Sequence, residues 1–332
     1  MSLCYRDLAS SASRTGQKCA RIHRESSPTL GSMCGRYASS RSPGDLVLEF
    51  EVEENDLDAG PVAGVTETGP ADPAPPQYNI APTATVPVVL ERLVEPEPAA
   101  DESDADLVKT GPPRAVRRLR PLTWGLVPSW SKDRTGGARM INARVESLLE
   151  KPAYRKAALT RRCLVPADGW YEWQVSPSER DTKGKPRKQP FFIHPADGGG
   201  LAFAGIYEFW RDSSLHADDP RAWLVTFAVI TTAAEPGLDV IHDRMPLVLP
   251  PERWNDWLNP QLREPDDVRA LVEPPPPGRF AALPVTTRVN SVRNDGPELL
   301  EPAPQDQLIG VVDPATGELI GGRIERLAEP LF

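Results

Sequence analysis

Cys34 directly follows a methionine, Met33, in the chain. If translation begins at Met33 and that methionine is removed, Cys34 carries a free amine and a thiol on adjacent carbon atoms. Such a 1,2-aminothiol condenses with an aldehyde to an imine, and its thiol then closes a five-membered thiazolidine ring. The ordinary pKa values, about 7.7–8.0 for the amine and about 8.5 for the thiol, leave both groups usable near neutral pH. The alternative is that Cys34 is an ordinary buried cysteine, as most free cysteines are.

Glu172 is a second candidate, because aromatic residues flank it on both sides in the segment 169–173 (GWYEW). Apolar surroundings raise the pKa of a carboxyl group, which suits general acid/base work near neutral pH. The alternative is a surface glutamate on an alternating strand whose aromatic neighbours face the core. The local pattern leaves both interpretations open.

His242 is one of four histidines and precedes Asp243, Arg244 and a proline-terminated turn. A loop histidine with charged neighbours is a candidate acid/base group or oxyanion partner, and a structural histidine is the alternative. The arginines Arg36, Arg144 and Arg244 can each bind phosphate through the planar guanidinium group. Alternatively, they form ion pairs with carboxylates such as Glu146 and Asp243.

Four tryptophans offer aromatic surface on which unpaired bases can stack. They are Trp124, Trp130, Trp170 and Trp173. Core packing is the alternative for each, and it is expected for at least two of them. The sequence has no Walker or Rossmann glycine pattern and no metal-binding histidine pair, so neither a metal nor a cofactor is predicted.

The composition bounds the class of protein. A chain of 332 residues with 39% hydrophobic residues can bury the core of one large domain or two smaller ones. No run of 18 apolar residues predicts a membrane span, and the first 32 residues lack the apolar segment of a secretory signal. The four cysteines have neither metal-ligand nor disulfide-framework spacing, which favours a reducing cytoplasmic compartment.

The distribution of charge is uneven, although the formal net charge is −9. Residues 51–110 hold 14 acidic against two basic residues, a balance of −12, and residues 111–170 hold 13 basic against four acidic residues, a balance of +9. A basic region of this kind is compatible with an anionic polymer on one face of the protein. Solvated surface charge is the alternative.

The pattern along the chain predicts one domain, 34–302, between two flanking segments. Residues 1–33 are polar and without periodicity, so we expect a disordered leader or a wrongly assigned start codon. Acidic, Pro/Gly-rich stretches near 51–76 and 91–113 predict flexible insertions, because such compositions bury too little apolar surface to fold. Residues 303–332 are expected to form a C-terminal appendage of weak pattern.

Short β-branched and aromatic runs bounded by Pro, Gly and Asp dominate from residue 119 onward, and they predict strands. Tyr78–Thr83 predicts a turn that leads into a strand over Val86–Leu90. Four short helices are predicted, over Ala143–Leu149, Pro152–Thr160, Pro251–Leu258 and Pro265–Val272. Because no regular βαβ alternation appears, we expect an α+β fold with a curved, mainly antiparallel sheet or barrel-like core and a few short helices.

Six ordered segments resemble the SRAP family, the SOS response-associated peptidases or abasic-site processing proteins. They are MCGRYA (33–38), YNIAPT (78–83), WGLVPSW (124–130), INARVES (141–147), ADGWYEW (167–173) and IHDRMPLVL (241–249). The run VNSVRNDGPELLEP (289–302) is similar to the closing segment of the family. Each segment alone is weakly specific, but their order over residues 33–302 is highly specific.

The resemblance implies a single SRAP domain that recognises abasic sites in single-stranded DNA. The residues that it implies as catalytic are Cys34, the thiazolidine-forming nucleophile, Asn142, which orients the reacting groups, Glu172, the general acid/base, and His242, which stabilises the centre and assists crosslink reversal. The residues that it implies for DNA binding are Arg36, Asn79, Pro82, Trp124, Arg144, Trp173 and Arg244. Lyase-type strand cleavage and self-processing are further activities that it suggests.

The position of the cysteine departs from the family pattern, because 33 residues precede Cys34 where the family has only the initiator methionine. Translation from Met33 and cleavage of a leader after Met33 are the two explanations. A cysteine peptidase or amidohydrolase that uses Cys34 with His242 as base is an alternative function. A non-catalytic single-strand binding module is another. The expected setting is a monomer at the nucleoid in the cytoplasm, without membrane contact, near the replication machinery.

Overall fold

The computed structural model describes residues 34–57, 75–95, 112–216 and 218–321. Within these ranges the chain forms thirteen strands and four α-helices. The strands are β1 (Tyr37–Ser39), β2 (Glu54–Asn55), β3 (Gln77–Ile80), β4 (Thr85–Val94), β5 (Arg114–Trp124), β6 (Asn142–Arg144), β7 (Arg162–Ala167), β8 (Gly169–Arg180), β9 (Pro186–Pro195), β10 (Leu201–Arg211), β11 (Trp223–Ala233), β12 (Arg244–Pro246) and β13 (Phe280–Pro284). The α-helices are α1 (Pro43–Glu49), α2 (Pro152–Thr160), α3 (Trp254–Leu258) and α4 (Pro265–Leu271).

Five strands close into a barrel. β5, β4, β7, β10 and β11 are antiparallel neighbours in that order, and β11 pairs back to β5 in parallel at Thr226–Thr123 and Phe227–Trp124. Closure pairs both sides of each barrel strand, so this part of the sheet has no free edge. The predicted α+β fold with a mainly antiparallel, barrel-like core is confirmed.

A second sheet has the order β13-β9-β8-β1-β3, and all its neighbouring strands are antiparallel. This sheet carries Glu172 on β8 and holds Cys34 three residues before β1. The β1–β8 register sets Tyr37 opposite Trp170, so the two chemically interesting segments are neighbours in the same sheet. Their separation in sequence is therefore bridged by strand pairing.

Strand β7 shows why the barrel strands lack a clean polar alternation. Cys163, Val165 and Ala167 belong to a hydrophobic cluster shared with the second sheet, and Leu164 belongs to a cluster shared with helices α2 and α3. Because apolar residues cover both faces of the strand, its sequence reads as a continuous hydrophobic run. The barrel wall therefore separates two cores.

Three of the four predicted helices are confirmed. Helix α2 spans Pro152–Thr160 as predicted, α4 spans Pro265–Leu271, and a 3-10 turn at Pro251–Arg253 leads into α3 at Trp254. Proline in the first turn starts α2 and α4, because its fixed φ suits a helix and its missing N–H is not needed there. Within the described ranges, none of the helices has the length and apolar character that crossing a membrane requires.

The predicted helix over Ala143–Leu149 is wrong. Asn142–Arg144 form strand β6, which pairs in parallel with β11, and a 3-10 turn at Val145–Ser147 follows. The backbone groups of this segment are used by a strand more than 80 residues away in sequence. Local helical periodicity does not report such a pairing.

The structure describes parts of the predicted flanking and inserted segments. Strand β4 continues through Val94, opposite Arg114, and β2 pairs with β5, so strand residues extend into both predicted insertions. In the predicted appendage, Ala303, Leu308 and Val311 are buried in the core cluster that includes the second sheet. The remaining parts of these predictions, including the leader 1–33, lie outside the described residues.

Candidate active site around Cys34

Both reactive atoms of Cys34 touch other groups of the site. The Cys34 backbone N–H donates to Glu172 Oε1 at 2.8 Å, and the Cys34 thiol lies 3.9 Å from the carbonyl oxygen of Arg244, within the longer range of a sulfur donor. Cys34 is only 4% exposed. Its φ of 43° lies in the left-handed region, which residues with a Cβ rarely adopt. The backbone therefore turns sharply at the residue that we predicted as the nucleophile.

Glu172 lies on β8 and is only 1% exposed, so it is a core carboxyl group rather than a surface glutamate. Burial raises the pKa of Glu172 to about 8, and the hydrogen bonds from Cys34 oppose that shift. Burial and, after it, the nearby Glu172 raise the pKa of the Cys34 thiol well above its ordinary value. At neutral pH these surroundings favour the protonated forms of both the Glu172 carboxyl group and the Cys34 thiol.

His242 follows a 3-10 turn at Leu238–Val240. Its Nδ1 accepts the backbone N–H of Arg244 at 3.1 Å and lies 3.1 Å from Asp243 Oδ1. Burial lowers the pKa of His242, and Asp243 opposes that shift. The lowered pKa favours the neutral ring, in which Nδ1 can accept the Arg244 N–H.

Arg244 is held in an ion pair, the arrangement that the sequence left as the alternative to phosphate binding. Its two terminal nitrogens donate to Glu146 at 2.5 and 3.0 Å, and Nη2 also donates to Thr231 O at 2.7 Å. Arg244 is only 9% exposed. Its guanidinium fork therefore fixes the His242–Arg244 segment against β11. The direct phosphate contact of Arg244 stays a prediction.

Arg36 and Asn79 support a loop at the border of the second sheet. Arg36 donates to Asn79 Oδ1 at 2.8 Å and to Val289 O at 3.0 Å. Asn79 donates in turn to the carbonyl oxygens of Val289, Ser291 and Asn294. Since Asn79 is 5% exposed, it holds this loop from inside. Its role in DNA binding stays a prediction.

Trp124 is a core residue. It is 1% exposed, its Nε1 donates to Ile141 O at 2.9 Å, and its ring stacks on Phe227 with 6.4 Å between centroids. Its surroundings match core packing, the alternative that the sequence left open for Trp124, and its role in DNA binding stays a prediction. Trp130, counted among the stacking candidates, is by contrast 70% exposed.

Trp173 and Pro82 keep partly exposed side chains. Trp173 Nε1 donates to Asn290 Oδ1 at 2.7 Å, so the ring lies against the loop that Asn79 supports. Pro82 lies in the turn between β3 and β4. Both positions are compatible with contact to a strand that passes the second sheet.

The β6–β11 pairing places Asn142 and Arg144 beside the part of β11 that holds Arg244. Arg144 lies opposite Thr231, the residue whose carbonyl oxygen accepts from Arg244, and Asn142 lies opposite Val229. Asn142 is half-buried, whereas Arg144 is exposed. The structure thus joins Cys34, Glu172 and His242–Arg244 through direct contacts and adds Asn142–Arg144 through strand register.

The sequence analysis did not identify two carboxylates, Glu146 and Asp295, as residues that support the site. Glu146 was considered only as a partner, yet it anchors Arg244, and the ion pair lowers the pKa of Glu146. Asp295 Oδ1 accepts the backbone N–H groups of Tyr78 and Asn79 at 2.5 and 2.9 Å, which ties the loop to β3. Asp295 lies in the run 289–302, whose similarity to the closing segment of the family was the sequence signal that could have identified it.

Among the described residues, no group of three His, Cys, Asp or Glu side chains is arranged to hold a metal ion.

A crystal structure of a protein from Bacteroides thetaiotaomicron shares the fold. The TM-score is 0.59 at 22% sequence identity, over 81% of this chain and 100% of that chain. This similarity supports the architecture alone.

Curated relatives are more similar in sequence. "Abasic site processing protein YoqW" of Bacillus subtilis (strain 168) is 33% identical over 269 residues, which are 81% of this chain and 99% of that protein. "Abasic site processing protein YedK" of Escherichia coli (strain K12) is 32% identical over 81% of this chain and 100% of its own. "Abasic site processing protein HMCES" of Gallus gallus is 33% identical over 68% of this chain and 66% of its own.

The profile of the family described as SOS response associated peptidase (SRAP) matches residues 33–292. The resemblance that the six sequence segments indicated is thereby confirmed. The chain belongs to the SRAP family.

Proposed function

We propose that Cys34, once it is the first residue, captures abasic sites in single-stranded DNA as a thiazolidine. The names of the curated relatives support abasic sites as the substrate. The observation that carries the proposal is the 2.8 Å contact between the Cys34 backbone nitrogen and Glu172 Oε1. It puts a carboxyl group of raised pKa next to the one nitrogen that must react with an aldehyde.

Imine formation uses the proton of Glu172. The Cys34 amine adds to the C1′ aldehyde of the opened deoxyribose and gives a carbinolamine. The carbinolamine hydroxyl then leaves as water with a proton from Glu172, and the C=N bond forms. In the chain that retains residues before Cys34, burial raises the pKa of Glu172 to about 8. The same buried surroundings favour the protonated carboxyl group that this step uses.

Ring closure returns that proton. The Cys34 sulfur bonds to the iminium carbon, and the electron pair of the C=N bond moves to the nitrogen, which kept its own hydrogen when the hydroxyl left as water. The Glu172 carboxylate, formed in the previous step, accepts the thiol proton, which is needed because burial keeps the sulfur protonated. His242 supplies a second neutral base near the same centre, and crosslink reversal runs through the same proton transfers in the opposite order.

DNA binding is assigned to the arginines and aromatic side chains around this centre. Arg144 is exposed on β6, and Arg36, Trp173 and Pro82 lie along the second sheet. Asn142 orients the reacting groups from β6. Phosphate contacts carry little sequence information, so binding should weaken steeply with salt. The proposal includes action as a cytoplasmic monomer at the nucleoid, near the replication machinery.

The test compares two forms of the protein, one translated from Met33 and one that retains residues 1–33. Each is mixed with single-stranded DNA from which one uracil has been excised. Only the form whose mass shows Cys34 as first residue should give an adduct that survives denaturation, and Cys34→Ala should abolish it. Uncleaved uracil DNA is the control. An equal adduct from the form that retains its leader would contradict thiazolidine chemistry.

The same material separates the competing functions. A cysteine peptidase would turn over a peptide without DNA and would be labelled by thiol-directed inhibitors. The structure favours it less, because the thiol of Cys34 points to Arg244 O rather than to the His242 ring. A non-catalytic module would bind abasic and intact strands equally well after Cys34→Ser.

A further inference from the structure

The C-terminal segment 303–314, named here the C-terminal brace, lies beyond the family match, which ends at residue 292. Residues Ala303, Leu308 and Val311 of the brace are buried in the core cluster that also contains Tyr37 and Trp170. The brace is therefore packed into the domain next to strands β1 and β8.

The brace is hydrogen-bonded to β8 just beyond Glu172. Gln174 Nε2 donates to Val312 O at 2.9 Å, and Val312 N–H donates back to Gln174 Oε1 at 2.7 Å. Ser176 Oγ donates to Gly310 O at 2.6 Å. Glu172, Gln174 and Ser176 are two residues apart in turn, so strand alternation places all three side chains on one face of β8.

The brace also contacts the turn that precedes His242. A Cβ atom added at Gly237 would lie 3.3 Å from Pro314 O, so these backbones are close. Leu308 and Val311 share their core cluster with Leu238 and Ile241 of that turn. One short segment therefore touches the strand that bears Glu172 and the turn that bears His242.

We propose that the C-terminal brace is a positioning element, which holds Glu172 and His242 at the spacing that crosslink formation requires. This inference rests on the proposed function. A displacement of about 1 Å at a reacting group can lower a rate about a hundredfold. Gln174 acts as a positioning residue, because its amide joins the brace to the face of β8 that carries Glu172.

Two glycines of the C-terminal region provide a matched pair of variants. Gly310 and Gly317 have φ values of 77° and 72°, so alanine strains the backbone similarly at both. At Gly310 the added Cβ would meet Glu179 Cγ and would lie 2.9 Å from Ser176 Oγ, whereas at Gly317 nothing lies within 4 Å. Gly310→Ala should therefore push the brace away from β8, and Gly317→Ala should not.

The measurement is single-turnover adduct formation by the Met33-started protein at saturating abasic DNA, well below the Tm of each variant. Gly310→Ala should lower the rate about tenfold and leave affinity for intact single-stranded DNA unchanged, while Gly317→Ala stays within about twofold of wild type. Equal rates for the two variants would overturn the inference. If the wild-type protein forms no adduct at all, the proposed function fails instead.

A second pair tests Gln174 itself. Gln189 lies opposite Gln174 on β9, is similarly buried at 2% against 1%, and donates to Val285 O rather than to the brace. Gln174→Met should slow adduct formation about tenfold and shift its pH profile, because Glu172 changes position. Gln189→Met should lower the Tm by a similar amount with wild-type rate and pH profile. Parallel losses of Tm and rate in both variants would show a merely structural role.

Discussion

Glu172 and Glu146 both belong to the site, but their environments differ and their pKa values move in opposite directions. Glu172 is buried beside a neutral N–H, and burial raises its pKa to about 8. Glu146 faces the guanidinium of Arg244, whose hydrogen bonds lower its pKa. A carboxyl group that is buried without a cation keeps its proton and can donate it. A carboxyl group that is paired with a cation stays ionised and holds that cation in place. The comparison shows that partners, rather than residue type, decide which carboxyl group does chemistry.

The largest effect is expected for Glu172→Gln, which keeps the shape of the side chain and removes its acidic proton. We expect the rate of adduct formation to fall about a hundredfold or more, the usual range for loss of a general acid. Glu146→Gln serves as the matched control and should stay within about tenfold of wild type. Single-turnover gels measure both. A larger effect at position 146 would reverse the roles assigned to the two groups.

The pH dependence of stability should have opposite signs for the two carboxyl groups in the chain that retains residues before Cys34. The folded state holds the Glu172 proton up to a pKa of about 8, above the ordinary 4.5, so its contribution is present below about pH 4.5 and is lost as pH rises to about 8. Relative to Glu172→Gln, wild type should lose up to about 1.4 kcal/mol per pH unit in this window.

Glu146 should show the opposite sign, because its folded pKa is lowered below 4.5. Its contribution is present above the unfolded pKa and is lost as pH falls through the folded value. Urea unfolding of wild type and both Gln variants from pH 3 to pH 8 measures these differences. Parallel curves for all three proteins would contradict the pKa shifts.

Removal of the anchor should cost stability more than chemistry. Glu146→Ala leaves the buried Arg244 without its carboxylate, and since Glu146 is 56% exposed we expect a loss of only about 1 kcal/mol. Thermal unfolding measures the loss. An unchanged Tm would mean that Thr231 O and solvent suffice to hold Arg244.

The smallest effect concerns the two arginines beside β11. Arg144 is exposed, so Arg144→Gln should weaken binding to intact single-stranded DNA and lower the slope of log K against log salt by about 0.7. Arg244→Gln should leave that slope unchanged, because its guanidinium already binds Glu146. Salt titrations of fluorescence anisotropy distinguish the two. Equal slopes for Arg144→Gln and Arg244→Gln would support the DNA contact predicted for Arg244.

The sequence predicted the features that depend on local pattern. The prolines at the first positions of α2 and α4 marked helix starts. The aromatic residues around Glu172 left a buried carboxyl group and a surface glutamate both open, and the structure shows the buried one. The sequence did not predict β6, because the parallel pairing of Asn142 with Val229 joins distant segments. Motif resemblance likewise grouped the buried Trp124 with the DNA-binding residues, since a motif identifies a position without its burial.

The burial of the C-terminal brace was likewise not predictable from the sequence pattern. Leu308 and Val311 are buried through 3-10 turns and irregular loops, which have neither the period of a helix nor that of a strand. The pattern therefore looked weak although the packing is close. The burial of Leu308 and Val311 and the contacts of Gln174 and Ser176 identify this segment as part of the domain.

The backbone strain at Cys34 depends on the residue before it, because φ is defined by the carbonyl carbon of that residue. In the chain that retains this residue, a φ of 43° costs an L-residue about 1 kcal/mol. Once Cys34 is the first residue, this dihedral no longer exists and the cost is released. Removal of the preceding residue would therefore relax the fold at the position where the reactive amine appears.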